Sequence, residues 1–457
     1  MSGRVRLAVA LLAVLAVAWP TRLGQAATNA SSLDLPATYD TSADLDYAGG
    51  RLVVDSTAQV ANPAAAVVGR LVFNLVALRI GQAVVDQVTV DGQAARWSSH
   101  DQTLTVDLPN GLAANGQTAV RIRYSAVLEP AQDDRNGFFG KVGATVNMAR
   151  WIPWLSRPVE FSRPTFGNPF VTASAARVDV RLTSDVPLVY ATSGERTSVS
   201  ADGLTQAFVA HNVRDFNLAA APDFQQTTIE VRGTPITFFH RTLPADRVLL
   251  WAERAFDYYS EHVGAYAWPS LAIAETTSQM GLESPALVWI PDDTRGARIR
   301  YLVAHEIAHQ WFYAAVGNDQ ASEPFADEAP SEFLARSVTG TLRASRCPDD
   351  ELDRSIYEYT DECYFETIYV QGANYLDAFR RAVGDTAFWR GMSRYYADHR
   401  FGMGGTRALL DALDFAAGRD PAHHRARFPS LYQGPEPDTT VTVGARARLF
   451  WLGVLLE

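Results

Sequence analysis

His305 and His309 stand four residues apart, with Glu306 beside the first of them, in the run Tyr301-Leu302-Val303-Ala304-His305-Glu306-Ile307-Ala308-His309-Gln310-Trp311-Phe312. On a helix, positions i and i+4 lie one turn apart on the same face, so both imidazoles would point into one place and could grip a single metal ion. Glu306 would then reach a water on that ion. Two His ligands with a carboxylate base are the parts of a zinc hydrolase. Ile307, Ala308, Trp311 and Phe312 make the flanks apolar, so the helix belongs in a core. There, two imidazoles and a carboxylate without a partner would be costly.

A third ligand is expected at Glu328, separated from His309 by eighteen residues. Gly317-Asn318 suit a helix C-cap, and a polar turn over 319–324 reverses the chain. A second helix from about Phe325 would place Glu328 one turn in, facing the first helix. Glu323 and Glu332 are rival carboxylates; Glu332, one turn further on, reads as a support for the ligands or as solvent-facing. Two His and one Glu leave a fourth zinc position open, the mark of a catalytic site.

These residues, with the run Gly317-Asn318-Asp319-Gln320-Ala321-Ser322-Glu323-Pro324, resemble the gluzincin metallopeptidases of the aminopeptidase N family. The family's second helix usually opens with Trp-x-Asn/Asp-Glu-Gly; here it reads Phe325-Ala326-Asp327-Glu328-Ala329. Before the zinc helix the family carries Gly-x-Met-Glu-Asn, and here stands Met280-Gly281-Leu282-Glu283-Ser284, where the Glu alone is identical. The resemblance makes Glu283 the carboxylate that holds a substrate's α-ammonium, with Gly281 beside it as a second substrate-binding candidate. Tyr369-Val370-Gln371-Gly372-Ala373 is similar to the family's Tyr-x-Lys-Gly-Ala, which makes Tyr369 the donor to the developing oxyanion. Tyr357, Tyr359 and Tyr364 are its rivals by proximity. Residues 147–158 resemble, loosely, a family loop that approaches the active site. The resemblance implies one Zn2+ held by His305, His309 and Glu328, Glu306 as general base, and peptides with a free N-terminus as substrates.

The remainder of the chain must position these groups. In 457 residues, 47% hydrophobic and 20% charged, there is room for two or three domains. A net charge of −11 without a long basic run argues against a nucleic-acid partner. Arg4 and Arg6, the apolar run of 7–19 and the small residues at 24–27 read as a secretory signal, too short for a stable membrane span. The protein is therefore expected to be exported, secreted or at the cell surface. In such a compartment the two cysteines, Cys347 and Cys363, are expected to pair.

Residues 28–224 alternate with period two, as at Leu104, Val106 and Leu108 or at Val120, Ile122 and Tyr124. Turn signals at Gly49-Gly50, Asp91-Gly92, Pro109-Asn110-Gly111, Asn115-Gly116 and Asp202-Gly203 separate the strands, so this is an antiparallel β domain. The resemblance gives it a saddle shape. Residues 225–420 form the catalytic domain, which by resemblance is a mixed α/β, thermolysin-like unit. In it, 228–239 reads as two strands, 245–263 as a helix with Leu249, Leu250, Ala252, Phe256 and Tyr259 inward, and 271–274 as a buried strand. A small helical part follows, with helices expected at 331–343, 350–359, 368–382, 386–398 and 406–416. His423-His424 reads as a solvent-facing pair, and 421–457 as a tail with no assigned structure. The fold class is thus α+β and multidomain, a short form without the large C-terminal helical domain of many family members.

Three functions are compatible with these residues. The first is a zinc aminopeptidase. The second is a zinc hydrolase of the same fold with endopeptidase or other small-substrate specificity. The third is a non-enzymatic binding protein on a peptidase fold.

Overall fold

The computed structural model describes residues 32–128, 137–162, 165 and 167–432. The expected signal segment and most of the 421–457 tail lie outside these residues. No helix among the described residues is long and apolar enough to cross a membrane.

Among the described residues, the N-terminal part is built from three sheets. The largest runs, in order, through Glu195–Val199, Thr205–Val213, Ala175–Ser184, Ala37–Asp46, Arg51–Ala61, Gln117–Val127, Val84–Val90 and Gln93–Ala94. The alternating residues Val120, Ile122, Tyr124, Val178, Val180 and Leu182 all face inward. Pairing is antiparallel with one exception: Ala37–Asp46 and Ala175–Ser184 run parallel, with Tyr39 opposite Val178. Strands so distant in sequence are joined by a long crossover instead of a hairpin, which is what parallel pairing requires. Asp91-Gly92 and Asn115-Gly116 turn the chain as expected, with positive φ at Asp91, Gly92 and Asn115. Pro109-Asn110-Gly111 does not. These residues lie within the strand Thr103–Leu112, where the register jumps from Val68 opposite Leu112 to Arg70 opposite Asp107. The extra residues are absorbed as a bulge, the other use of a positive-φ glycine.

From Gln225 a different sheet begins, of order Gln225–Val231, Thr234–His240, Leu271–Thr276, Leu287–Pro291 and Leu282–Ser284. The short strand that carries Glu283 is its antiparallel edge. The helix Ala245–His262 buries Leu249, Ala252, Phe256 and Tyr259, but Leu250 is 42% exposed. Leu250 directly follows Leu249 and so points about 100° away from it. Tyr259 donates a hydrogen bond of 2.9 Å to Ala304 O, and Trp311 Nε1 donates one of 2.8 Å to Gly264 O. These bonds and the aromatic contacts of Trp311 with Phe256 and Tyr259 lock the His-bearing helix against this one.

The helical part contains Phe325–Thr339, Gly372–Val383, Asp385–His399 and Thr406–Ala417. Residues 350–359 are irregular, contrary to expectation. Tyr359 there donates to Glu351 O and Arg354 pairs with Asp349, so local side-chain bonds outcompete a helix. Gly372 is required by a close approach: a Cβ on it would stand 2.5 Å from Ala329 Cβ, on the helix that carries Glu328. Cys347 and Cys363 are joined by a disulfide. His424 is fully buried, contrary to the expectation of a solvent-facing pair. Its partner, Asp414, lies upstream on the preceding helix.

Candidate metal and catalytic site

The His-bearing helix spans Ala297–Ala308, with His309 as its C-cap. It ends well before Gly317-Asn318, where sequence signals placed its stop. Beyond Ala308 the chain is wound by wider turns, with Ala314, Ala315 and Val316 donating to His309 O, Gln310 O and Trp311 O. Tyr313, within this stretch, takes φ 103°. Its hydroxyl donates to buried Asp215 and its ring lies under Arg150, contacts that hold an otherwise unfavourable conformation.

The tautomers of both histidines follow from their neighbours. His305 Nδ1 lies 3.1 Å from Glu332 Oε2, and His309 Nδ1 lies 3.0 Å from Phe312 O. A carboxylate and a carbonyl only accept, so each Nδ1 carries a proton, and in the neutral ring that a metal requires each Nε2 presents a lone pair. The two Nε2 atoms are 3.1 Å apart, and Glu328 Oε2 lies 3.3 Å from one and 3.4 Å from the other. Tetrahedral ligands at zinc bond lengths of 2.0–2.1 Å would be separated by about 3.3–3.4 Å. The triangle therefore already has the size of one face of a zinc tetrahedron. All three residues are buried, and Glu328 Oε2 has no hydrogen-bond partner. Three buried electron-rich atoms facing each other are stable only around a cation, so the residues fit the metal.

Glu332 is neither a ligand nor solvent-facing. Fully buried, it accepts from Tyr301 at 2.8 Å and from the Arg336 guanidinium, and it orients His305. Ser331 Oγ lies 3.1 Å from His309 Nδ1 and supports the other ligand. Glu323 lies in the turn before the helix, against Gly405, away from the histidines.

Glu306 projects into an open cleft of about 210 Å³, which Asn168, Gly281, Glu283, Tyr301 and Tyr369 also line. Burial first, then Glu283 and Glu328, push its carboxyl up to about 8, with His305 and His309 opposing. Its Oε2 is buried without a hydrogen-bond partner. Tyr369 lies in the π-helical segment Phe365–Gln371, a wide winding often found at functional sites. Its ring stacks on His305 at 5.5 Å. Burial and then the Glu328 carboxylate hold its phenol well above the ordinary value, so it is a donor at neutral pH. Tyr357 and Tyr359 spend their hydroxyls on Glu160 O and Glu351 O and are not competitors. Tyr364 packs against Tyr369 at 5.8 Å.

Glu283 is buried, and its Oε1 accepts from Gln320 at 2.9 Å and Asn168 at 3.2 Å. Arg150 Nη2 lies 3.9 Å away. Gln320 also donates to Asp327, next to Glu328, so one amide braces Glu283 against the helix that carries Glu328. Gln310 ties the same edge strand to the His helix, donating to Ser284 O at 2.8 Å and accepting from Ala286 N at 2.9 Å. Of these supports, Gln310, Gln320 and Arg150 lie in segments that the sequence singles out, without roles of their own. Asn168 carries no signal, because a polar amide acquires meaning only from what it faces.

No family model matches the chain. Among curated proteins, Aminopeptidase 2 of Candida albicans is 24% identical over 398 residues, 76% of this chain and 42% of that protein. Aminopeptidase N of Lactobacillus helveticus is 24% identical over 419 residues, 81% of this chain and 49% of that protein. The chain thus spans less than half the length of these relatives. Among solved structures, an M1 zinc metallopeptidase variant from Deinococcus radiodurans bound to a Tyr-Ser-Ala substrate aligns with TM-score 0.65 at 20% identity, over 86% of this chain and 94% of that one. The chain has the M1 zinc metallopeptidase fold, and the two curated relatives named above are aminopeptidases. The family resemblance read from the motifs and these comparisons agree.

Proposed function

We propose that the protein is a zinc-dependent aminopeptidase that removes N-terminal residues from peptides. The observation that carries this reading is the convergence, in one cleft, of the His305–His309–Glu328 triangle, the Glu306 carboxylate, the Tyr369 hydroxyl and the buried Glu283 carboxylate. The metal, when bound, supplies Lewis acidity toward a carbonyl oxygen and toward water.

The chain's own groups do the rest. Glu306 removes a proton from the attacking water and returns it to the leaving amine, a role favoured by a carboxyl pushed toward neutrality. Tyr369 donates to the oxyanion of the tetrahedral intermediate; losing one such donor costs on the order of a hundred-fold or more in rate. Glu283, at the sheet edge, pairs with the substrate's ammonium and sets the cut at the first peptide bond. The same short strand is the edge of its sheet and borders the cleft through Glu283 and the preceding Gly281, where an extended peptide could pair with its backbone. The Cys347–Cys363 disulfide supports an oxidising location outside the cytoplasm.

Arg150, 3.9 Å from Glu283, favours a second reading, in which Glu283 is held by the guanidinium and the site does not read a free amine. Paired fluorogenic peptides, one with a free and one with an acetylated N-terminus, decide between them when assayed with and without a zinc chelator. Chelator-sensitive cleavage of the free peptide alone is expected. Equal cleavage of both would replace the aminopeptidase reading with the second. Glu306→Gln should keep its metal and lose activity by on the order of a hundred-fold or more; retained turnover with normal metal content would overturn the role of Glu306.

A further inference from the structure

We propose a second metal site, formed by Asp414, His423 and His424, that takes a borderline first-row dication, Zn2+ above all. It lies in the helical part, outside the cleft, and stands apart from the peptidase reading.

Asp414 is on the last turns of the helix Thr406–Ala417, and the two histidines are on the turn Pro421–His424 that folds back over it. One donor atom from each of the three lies within 4.8 Å of the other two. Asp414 is 4% exposed and His424 is fully buried.

The hydrogen bonds around the cluster leave its inner atoms facing one another. His423 Nδ1 lies against Asp420 O, which only accepts, so this nitrogen carries a proton. In the neutral ring, His423 Nε2 then presents a lone pair, and it faces Asp414 Oδ1 at 3.4 Å. That oxygen is buried and has no hydrogen-bond partner. His424 Nε2 is hydrogen-bonded to Asp414 Oδ2 at 3.0 Å, through a proton that an ion would displace, and its Nδ1 contacts the Tyr375 hydroxyl, which can accept from Nδ1–H once Nε2 binds the ion. Both histidines therefore anchor their outer nitrogen and turn the inner one toward a single carboxylate, the arrangement by which supporting groups orient metal-bound imidazoles. Two imidazole nitrogens and a carboxylate oxygen suit Zn2+ and its neighbours rather than Ca2+ or Mg2+. The His423 side chain is 29% exposed, which gives an ion a way in and a water a place among the ligands.

The ion would clip the 421–424 turn to the helix Thr406–Ala417 and, through Tyr375, to the helix Gly372–Val383, which follows directly on the turn carrying Tyr369. Its effect is on stability of this corner and not on the chemistry of the cleft.

The test counts ions. The tag-free full chain is stripped with a chelator, dialysed against Zn2+, and its metal quantified. About two ions per chain are expected for the wild type and about one for H423A and for D414N, with the thermal midpoint rising on addition of the second equivalent in the wild type only. H309A should keep about one ion, and H309A/H423A should lose both. One ion in the wild type, or an unchanged count in a folded H423A, would overturn the proposal and leave Tyr375, His424 and Asp414 as a hydrogen-bonded network. Peptidase activity does not enter this readout.

Discussion

Gly281 faces Glu306 so closely that a Cβ on the glycine would stand 2.0 Å from Glu306 Oε1. The yielding atom is the free end of a side chain, so Gly281→Ala should be tolerated by the fold while displacing the carboxylate from its working position. A misplacement of about 1 Å costs on the order of a hundred-fold in rate. The expected result is a fall in kcat of that order, with metal content unchanged and Tm shifted by less than about 2 °C. A variant with full kcat would show that Glu306 does not need its present position.

Glu332 binds His305 Nδ1 through an oxygen that Tyr301 also uses, while Arg336 holds the other. Glu332→Gln weakens the acceptor that fixes the His305 tautomer but keeps the volume. Zinc affinity should fall about 10–100-fold, measured by competition with a chromogenic chelator. An unchanged affinity would mean that packing alone orients the ring.

The metal-free protein should bind protons where the ion would sit. Burial disfavours a charged His309 ring, but the Glu328 carboxylate outweighs it, and the ring stays protonated up to about 9; His305 shifts in the same direction. Zinc needs both rings neutral, so its affinity should rise with pH toward that value, by about ten-fold per pH unit for each proton displaced. Calorimetry in buffers of different ionisation enthalpy would register the released protons. In the metal-free chain the raised value has the opposite consequence. The imidazolium–carboxylate pairing stabilises fully below pH 6.5 and is lost as pH rises through about 9. A metal-free midpoint that is flat across this window would contradict the shift.

Glu366 should set part of the acid stability. The hydrogen bond from Arg343 pulls its carboxyl down to about 2, against a burial contribution that opposes it, and Arg346 N–H adds to the pull. A lowered folded value means that the contribution is present above the ordinary 4.5 and is lost as pH falls through about 2. With solvent screening the pair contributes up to about 1 kcal/mol. Urea midpoints at pH 5 and pH 3 should therefore fall less for Glu366→Gln than for the wild type. Equal falls would remove Glu366 from the acid response.

What was legible in the sequence rested on period and spacing. His305, Glu306 and His309 needed only the helical repeat, and the start of the second helix at Phe325 put Glu328 where a third ligand belongs. The alternating strands of the N-terminal part were readable because side chains on a strand change faces at every residue. The resemblance to a known family supplied Glu283 and Tyr369, whose local motifs say nothing of their roles unaided.

Tertiary structure decided the rest, because the deciding contacts join residues far apart in the chain. The His helix stops at Ala308 although the cap signals lie further on, since Tyr313 is held by Asp215 and Arg150 from the β part. Asn168, Gln320 and Arg150 meet at Glu283 from three separate segments. His424 looked solvent-facing because its partner Asp414 precedes it, on a helix against which the turn folds back. A sequence states which groups can accept, donate or bind a cation; only packing decides which of them lose water and must find one another.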